Sequence, residues 1–453
     1  MVLELSSRTV SKASGEWTPT SDAQEKGVDE TVGVEGDNSE QMQAAGQVKR
    51  TGSTMGAFLN MVCVIVGTGA LNLPKTFDQS GWIGILLLVV CGGIGVFTGV
   101  LVVRSLNMMD ERYERSLNQI GQAAFGLWGR LVIYALHLVY VVGIVGDYII
   151  LAGQSFDQIA RDGGHDIGES VWKVICALAM WLACVSLKQM SEAAFLSLLG
   201  FSTSMAAVII GIVQALKHPY TTDTETHHVA THQAANGSGV AIALATISFS
   251  FCAVVVMPAV EASMRRPKRW NAVVGTAMGT VTSVYLIVGI IGYWAFGDQT
   301  KAPFFDNLPQ DAATTAARVL ISLHVIFAAP IMATSFALEI ESALGITREQ
   351  RGRWKELALR VLLRTVFFAL MTGVALGIPY FGDVMALVGA FSTSLLLCVV
   401  PVACYLRLRG WSRVSWLCRI ICIAIAAVGL YACVLGAKGA IEDLRAHIAS
   451  DSK

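Results

Sequence analysis

Charged residues are scarce in this chain of 453 residues. Asp, Glu, Lys and Arg together make up only 15% of it, whereas soluble domains contain about 25%. Hydrophobic residues account for 54%, and the mean hydropathy is +0.59. The formal net charge is zero, so no basic excess points to nucleic acid as a partner. The composition therefore predicts an integral membrane protein whose surroundings are the lipid bilayer.

Motifs of covalent chemistry are absent as well. The sequence contains no Walker A motif, no nucleophile and base pair with motif support, and no regular metal-ligand spacing. The cysteines, from Cys63 to Cys433, all fall within or beside apolar segments, and none lies in an outer loop that a disulfide could close. We therefore expect no enzyme, no catalytic residue, no cofactor and no metal site.

Long apolar segments dominate the chain. A membrane helix needs about 20 apolar residues to cross a hydrocarbon core of about 30 Å. On that criterion the fold is an all-α polytopic membrane protein with about eleven transmembrane helices. The polar segment 1–50 predicts a disordered tail, and a short tail is expected at 437–453. The predicted spans are 53–73, 81–103, 130–156, 171–187, 194–216, 239–260, 270–296, 314–342, 357–377, 380–405 and 414–436.

Lys and Arg are unevenly distributed between the two sides of these spans. If the amino terminus is cytoplasmic, most of them fall in loops on the cytoplasmic side, as the positive-inside rule requires. The sequence thus predicts a cytoplasmic amino terminus and a carboxyl terminus on the outer side. A plasma membrane and a vacuolar or lysosomal membrane fit equally well.

The loop at 217–238 lies on the outer side in this arrangement. It contains the sequon Asn236-Gly237-Ser238, so Asn236 is a candidate for glycosylation, although an unused chance match fits equally well. It also holds four of the histidines, which are common metal ligands. Because their spacing is irregular and no cysteine accompanies them, we expect a disordered outer loop instead of a metal site.

The first span contains helix-weakening residues well inside it. In the stretch VIVGTGALNLPKTF, Gly67, Thr68 and Gly69 are followed by Pro74, which cannot donate a backbone hydrogen bond. An unpaired peptide group in lipid costs several kcal/mol, so a broken helix persists only inside protein or beside a wet cavity. Close helix packing through small residues is the alternative. We predict a break at Gly67 to Gly69 and a span that ends at Pro74.

A second interruption lies five spans later. In ATISFSFCAVVVMPAVEASMRRP, small or weakly helix-forming residues are followed by Pro258. Interruptions at corresponding places in two halves of a chain are typical of inverted-repeat transporters. We therefore assign repeat one to 53–216, repeat two to 239–405 and an extra helix to 414–436.

Backbone groups freed at two such breaks suit a zwitterion. Free N–H groups attract a carboxylate, and free carbonyl groups attract an ammonium group or a cation. Aromatic rings near the breaks could cover a bound molecule and exclude water. The predicted substrate pocket comprises Gly67, Thr68, Gly69, Ser248, Phe249, Ser250, Phe251 and Cys252, with Tyr140 of the third span.

Four stretches of the chain resemble the amino-acid/auxin permease family. They are GTGALNLP in the first span, MPAVEASMRRP leaving the sixth, GYWAFGD ending the seventh and IPYFGDVMALVGAF entering the tenth. Their order matches the family over residues 51–436. The resemblance implies a five-plus-five inverted repeat with broken helices 1 and 6, an eleventh helix, and transport of amino acids or related small amines coupled to an ion gradient.

The chain departs from the family pattern at two places that bear on function. Members often have GGH where this chain has Cys252-Ala253-Val254, so the resemblance carries over no substrate preference. Sodium-coupled members tend to have Asn four residues before the glycine motif, where this chain has Cys63. That difference makes Cys63 an ion-coupling candidate and favours protons over sodium.

Ionisable residues inside membrane spans are functional candidates because burying them is costly. Asp147 lies alone in the third span and is the predicted proton carrier, unless it faces a local water-filled interface. In the family fold the eighth span packs against the first, so His324, Thr334 and Ser335 are candidates for ion or substrate contact. A core histidine whose hydrogen bonds are satisfied is the alternative for His324.

Two further acids are candidate gate residues. Glu261 lies near an inner helix end beside a cationic loop, and Asp383 lies at the outer mouth of the tenth span. Together these features predict a secondary active transporter that moves a neutral amino acid by alternating access in symport with protons. A sodium-coupled symporter, and an amino-acid sensor that keeps the fold but carries no flux, are the alternatives.

Overall fold

The computed structural model describes residues 50, 52–110, 115–186, 194–346, 351–378 and 380–451 of the chain. Within these ranges the named elements are all helical. A helix satisfies its own backbone hydrogen bonds, which is what an apolar chain in lipid requires. The predicted disordered tail at 1–50 lies outside the described residues, apart from Arg50.

The helices have the following bounds in chain order: α1 Thr54–Ile65, α2 Gly69–Ser80, α3 Gly84–Leu106, α4 Leu117–Asp162, α5 Glu169–Ser186, α6 Ala194–Lys217, α7 Val240–Ser250, α8 Met257–Ser263, α9 Trp270–Phe296, α10 Ala312–Ala343, α11 Arg353–Gly377, α12 Phe381–Val388, α13 Val400–Arg409 and α14 Trp416–Asp451. Wider π-helical turns at 389–393 and 395–399 join α12 and α13 into one span.

Nine helical spans in the described ranges are long and apolar enough to cross a bilayer, and the bent pair of α1 and α2 makes a tenth. α7 is too short to cross alone. With α8 and the irregular segment between them, however, it covers residues 240–263. The fold is the all-α membrane bundle with interrupted first and sixth spans that the sequence predicts.

The first span continues beyond Pro74. α1 ends at Ile65 and α2 begins at Gly69, with a bend of 53° between the two helices. The prediction that Pro74 ends the span is wrong, because Pro74 lies inside α2, which continues to Ser80. Proline removes one helical hydrogen bond, and here its ring packs on Gly292 of α9, where a side chain would clash with it. Close packing on a glycine accommodates the proline within the helix.

Two other spans are longer than the predicted segments. α4 begins at Leu117, well before residue 130, and it turns sharply at Gly126, whose φ of 67° lies in the region that favours glycine. α14 continues to Asp451, so residues 437–451, the expected tail, are helical.

The helices pack in two groups. α9 packs against α1, α2 and α3, and α7 joins this α9 group through its contacts with α2 and α3. α4 packs against α5, α10 and α11, and α6 joins this α4 group through α10. α14 lies against α7 and α12. The first interrupted span therefore has its main neighbours in the α9 group, whereas α7 of the second lies between this group and the helices α12 and α14.

The segment 218–239 between α6 and α7 packs on neighbouring helix ends, contrary to the expected disordered loop. The Thr231 N–H donates to Asp298 Oδ1 at 3.1 Å, and the ring of His227 stacks on Tyr220 with centroids 3.9 Å apart. The histidines of this segment thus take part in packing contacts that composition alone does not reveal.

The sequon lies in the same segment, against the end of α2. The Asn236 N–H donates to the Ser80 carbonyl at 2.8 Å, and Asn236 Oδ1 accepts from Ser238 Oγ at 2.7 Å. Glycosylation of Asn236 stays a prediction.

Candidate functional site

A small cavity lies where the two interrupted spans meet. We call it the junction cavity. Most of the predicted pocket residues line it, whereas Ser248 and Phe251 are buried next to it. No lining residue is charged, and several contribute aromatic rings or aliphatic side chains. Its lining consists of Val64, Ile65, Gly67, Thr68, Gly69, Tyr140, Ile144, Tyr148, Phe249, Ser250 and Cys252.

Two glycines allow the breaks to approach each other and α10. A Cβ on Gly69 would lie 2.7 Å from Cβ of Ser250, so the start of α2 touches the end of α7 closely. A Cβ on Gly67 would lie 3.0 Å from His324 Nε2 and 3.7 Å from Tyr148 Oη. A side chain at Gly69 would push the two breaks apart, and one at Gly67 would require the His324 ring to move.

Hydroxyl groups from other helices satisfy the carbonyl groups that the breaks set free. Tyr285 Oη of α9 donates to the Ile65 carbonyl at 2.6 Å and lies 3.2 Å from the Ser250 carbonyl. Tyr140 Oη of α4 donates to the Cys252 carbonyl at 2.8 Å. A buried carbonyl without a donor would cost about 1–3 kcal/mol. These hydroxyls therefore help to make the interrupted spans stable in a bundle that excludes water.

Sequence reasoning missed Tyr285. The signal was a single tyrosine in the apolar stretch TSVYLIVG of the seventh span. A buried tyrosine hydroxyl usually has a hydrogen-bond partner. The identity of that partner depends on a contact between helices that are far apart in the sequence, which no local pattern gives.

Asp147 is fully buried on α4, beside the first break. The Thr68 side chain of the break interacts with its carboxyl group. Neither carboxyl oxygen has a hydrogen bond of ordinary geometry to any residue that the structure describes. An unpaired buried carboxylate is costly, so the position of Asp147 makes it a candidate functional residue.

His324 of α10 reaches the other side of the same break. Its Nδ1 lies 2.7 Å from the Gly200 carbonyl. Because a carbonyl only accepts, we assign the proton to Nδ1, which leaves Nε2 as an acceptor. Nε2 is buried, has no hydrogen-bond partner within the described ranges and faces Gly67. The alternative, a core histidine whose hydrogen bonds are satisfied, therefore holds for Nδ1 but not for Nε2.

Of the remaining ion-coupling candidates, Thr334 and Ser335 lie away from the junction cavity, whereas Cys63 lies in the last turn of α1, next to the lining residues Val64 and Ile65. Thr334 is ten residues beyond His324, about 15 Å along a helix, and its hydroxyl lies 3.4 Å from Cys184 Sγ. Ser335 and Cys63 are half-buried, and neither contributes to the lining. The structure thus brings Asp147 and His324 to the first break, places Cys63 just before it and separates Thr334 and Ser335 from it.

A polar network lies on the side of the bundle where α1 begins. Glu261 of α8 is buried and accepts from Arg115 Nη2 at 2.7 Å, and Arg50 Nη1 lies 4.0 Å from its other oxygen. Further along, Asn118 donates to Glu339 Oε2 at 3.0 Å. The first contact links α8, and hence the second interrupted span, to the residues just before α4, and the last joins the start of α4 to the end of α10.

Asp383 lies on the opposite side of the bundle, in the first turn of α12. Its Oδ2 is 2.8 Å from Nδ1 of His447, near the end of α14. Gln79 at the end of α2 also reaches α14, through Asp443 Oδ2 at 3.4 Å. The last helix therefore contacts both the first and the tenth span on this side.

Comparison with known families gives one match over most of the chain. A family model described as "Transmembrane amino acid transporter protein" matches residues 50–442. Among curated proteins, amino acid transporter AVT1C of Arabidopsis thaliana is 28% identical over 410 residues, which cover 88% of this chain and 71% of the relative. Amino acid transporter AVT1B of the same plant is 27% identical and covers 86% and 70%, respectively.

Solved structures with a similar fold are also transporters. One is the nucleobase-cation-symport-1 family transporter Mhp1 in a closed conformation with bromovinylhydantoin bound, with a TM-score of 0.54, 12% identity, and coverage of 88% of this chain and 93% of that chain. Another is a Na+-coupled sialic acid symporter in a substrate-bound outward-open state, with a TM-score of 0.52, 12% identity, and coverage of 86% and 90%. At this identity the likeness concerns the fold alone.

Proposed function

This chain belongs to the transmembrane amino acid transporter family, and we propose that it carries neutral amino acids by alternating access in symport with protons. Family membership confirms the resemblance seen in the sequence motifs, and it makes the chain a secondary transporter of amino acids and not an enzyme. The single observation that carries the finer proposal is that both breaks line one cavity without charged residues, while Asp147 and His324 lie beside the first of these breaks.

The lining of the junction cavity favours a neutral substrate. The backbone at Gly67 to Gly69, where α2 begins, offers N–H groups to the substrate carboxylate. We assign the ammonium group of the substrate to the irregular segment after Ser250. The side chain of the substrate would meet Ile144, Phe249 and tyrosine rings, and no lining group could neutralise a charged side chain.

Asp147 and His324 are the proposed proton-coupling pair. One contacts the first break through Thr68, and the other points an unpaired nitrogen at Gly67. Protonation of either group changes which hydrogen bonds the break can make, so proton binding and the geometry of the substrate site are linked. Sodium is less suited, because Cys63 stands where sodium-coupled relatives tend to have Asn.

Alternating access requires that the two sides of the cavity open in turn. We propose that the Glu261 and Arg115 pair closes the side where α1 begins, which we take as cytoplasmic, and that Asp383 with His447 closes the outer side. The first pair joins α8 to the residue two positions before α4, and the second joins α12 to α14. The membrane in question is the plasma membrane or that of a vacuole or lysosome.

Uptake by the purified chain in proteoliposomes tests this proposal. We expect a pH gradient with the acidic side outside to drive accumulation of radiolabelled neutral amino acids, and a sodium gradient at equal pH to have no effect. Lysine and glutamate serve as charged controls that should not accumulate. Uptake driven by sodium but indifferent to pH would contradict proton coupling. Binding without uptake would contradict transport and favour a sensor.

A further inference from the structure

Tyr285 is the one side chain described here whose hydroxyl contacts both interrupted spans. It lies in the middle of α9 and is fully buried. Its ring packs edge-on against Phe251, in the second break, with centroids 5.3 Å apart. Its hydroxyl sits between the Ile65 carbonyl at 2.6 Å and the Ser250 carbonyl at 3.2 Å.

Each of these two carbonyls belongs to the last residue of its helix. Ile65 is the last residue of α1 and Ser250 is the last residue of α7. Carbonyl groups in the final turn of a helix have no partner within it, and in a bundle that excludes water another group of the protein must supply one. A single hydroxyl on α9 lies within hydrogen-bonding distance of both helix ends.

We propose that Tyr285 is a positioning residue that ties the ends of α1 and α7 together, so that the two breaks move as one unit when the junction cavity opens and closes. The proposal rests on the proposed function in one respect, since it assumes that a substrate binds between the breaks. Tyr285 itself does not line the cavity, so its role is to hold the lining and not to contact substrate.

A comparison with Tyr140 indicates which hydrogen bond is kept when the junction cavity opens and closes. Tyr285 belongs to α9, which packs against α1, α2 and α3, so its bonds stay within the α9 group. Tyr140 belongs to α4, so its bond to the Cys252 carbonyl crosses from the α4 group to the second break. Movement of one group relative to the other must break the Tyr140 bond, whereas the bonds of Tyr285 can remain.

Hydrogen exchange in the substrate-free protein tests directly whether Tyr285 holds the ends of α1 and α7 together. Tyr285→Phe removes the hydroxyl and keeps the ring. Tyr293→Phe is the matched control. Tyr293 is also a buried tyrosine of α9, but its hydroxyl accepts from the Gln233 N–H of the segment 218–239. We expect exchange about tenfold faster in Tyr285→Phe in peptides covering both breaks, as loss of about one hydrogen bond implies, and no such change in Tyr293→Phe.

Three results would overturn the proposal. They are exchange unchanged in both breaks, exchange raised in only one break, and exchange raised equally throughout the bundle, which would make Tyr285 a general structural residue. Because no amino acid is added, this measurement stands even if the proposed transport activity fails.

A second measurement keeps the hydroxyl and therefore avoids any folding defect. 3-Fluorotyrosine is introduced at position 285 in one preparation and at position 140 in another, and fluorine NMR spectra are recorded with and without a saturating neutral amino acid. We expect the resonance at 140 to shift or split on binding and the resonance at 285 to stay unchanged. A change at 285 as large as that at 140 would contradict a persistent tie.

In transport assays a positioning role predicts a loss of affinity. Tyr285→Phe should raise the KM for the amino acid about tenfold and reduce Vmax by less than twofold, because the lining residues remain but their arrangement is no longer fixed. A fall in Vmax with unchanged KM would contradict the proposal, since it would point to a role in the movement itself.

Discussion

Two buried polar clusters in this bundle differ in how their groups are paired. In the first, Arg364 of α11 donates through Nε to Glu341 at 3.0 Å and through Nη1 to the Cys184 carbonyl, and Arg360 Nε lies 3.3 Å from Glu341. In the second, beside the junction cavity, the Asp147 carboxyl group interacts with the Thr68 side chain without a hydrogen bond of ordinary geometry, and His324 Nε2 has no hydrogen-bond partner among the described residues.

The difference indicates which cluster holds the fold and which can change state. The arginine cluster joins α5, α10 and α11, all within the α4 group, and its main charges are neutralised by direct partners. The cluster at the junction cavity faces an interrupted span, and its free atoms can accept a proton or a ligand. Buried groups with partners favour a rigid scaffold, whereas unpaired ones are typical of functional sites.

The largest effect is expected from breaking the arginine cluster. Arg364→Ala leaves Glu341 as a buried carboxylate without its closest partner, which should lower the free energy of unfolding by about 3–5 kcal/mol. Unfolding of the purified protein in mixed micelles by denaturant measures this loss. Stability equal to that of wild type would show that the cluster does not hold the α4 group together.

A smaller effect is expected where the two breaks touch. Gly69→Ala places a Cβ 2.7 Å from Cβ of Ser250, and overpacking of this kind costs about 1–3 kcal/mol. We expect the cost to appear as weaker binding of a neutral amino acid, measured by calorimetry.

The matched control for that variant is Gly93→Ala on α3, because a Cβ added there meets nothing within 4 Å. Equal affinities for Gly69→Ala, Gly93→Ala and wild type would contradict close contact between the breaks.

The smallest effect is expected on the side opposite the start of α1. His447 is 53% exposed where it meets Asp383, and exposed ion pairs contribute less than about 1 kcal/mol. His447→Ala should therefore change the free energy of unfolding by less than that amount. A loss of unfolding free energy as large as that expected for Arg364→Ala would contradict the distinction between the buried arginine cluster and the partly solvated contact of Asp383 with His447.

Local signals in the sequence predicted much of the fold and part of the site. Both breaks were found because glycine, proline and small polar residues weaken a helix wherever they occur, and Asp147 stood out because it is alone in an apolar span. The role of Pro74 was misjudged because its effect depends on Gly292, more than two hundred residues away. Tyr285 and the arginine cluster were missed for the same reason, since their meaning lies in partners on distant helices.

The sequence itself carries a signal for the arginine cluster. Arg360 and Arg364 lie four residues apart inside the predicted ninth span, so they share one face of a helix at membrane depth. Charged residues in such a position need partners. Which acid and which carbonyl supply them follows only from the packing of α5 and α10 against α11.

The most direct test of the central claim is uptake driven by a pH gradient in proteoliposomes that contain Asp147→Asn. Asp157→Asn is the matched control, because Asp157 lies on the same helix but pairs with Arg161 at 2.7 Å, away from the cavity lining. If Asp147 carries the coupled proton, Asp147→Asn reduces the rate of gradient-driven uptake at least about tenfold, which corresponds to about 1.4 kcal/mol. Asp157→Asn keeps the wild-type rate. Undiminished uptake by Asp147→Asn would contradict the account.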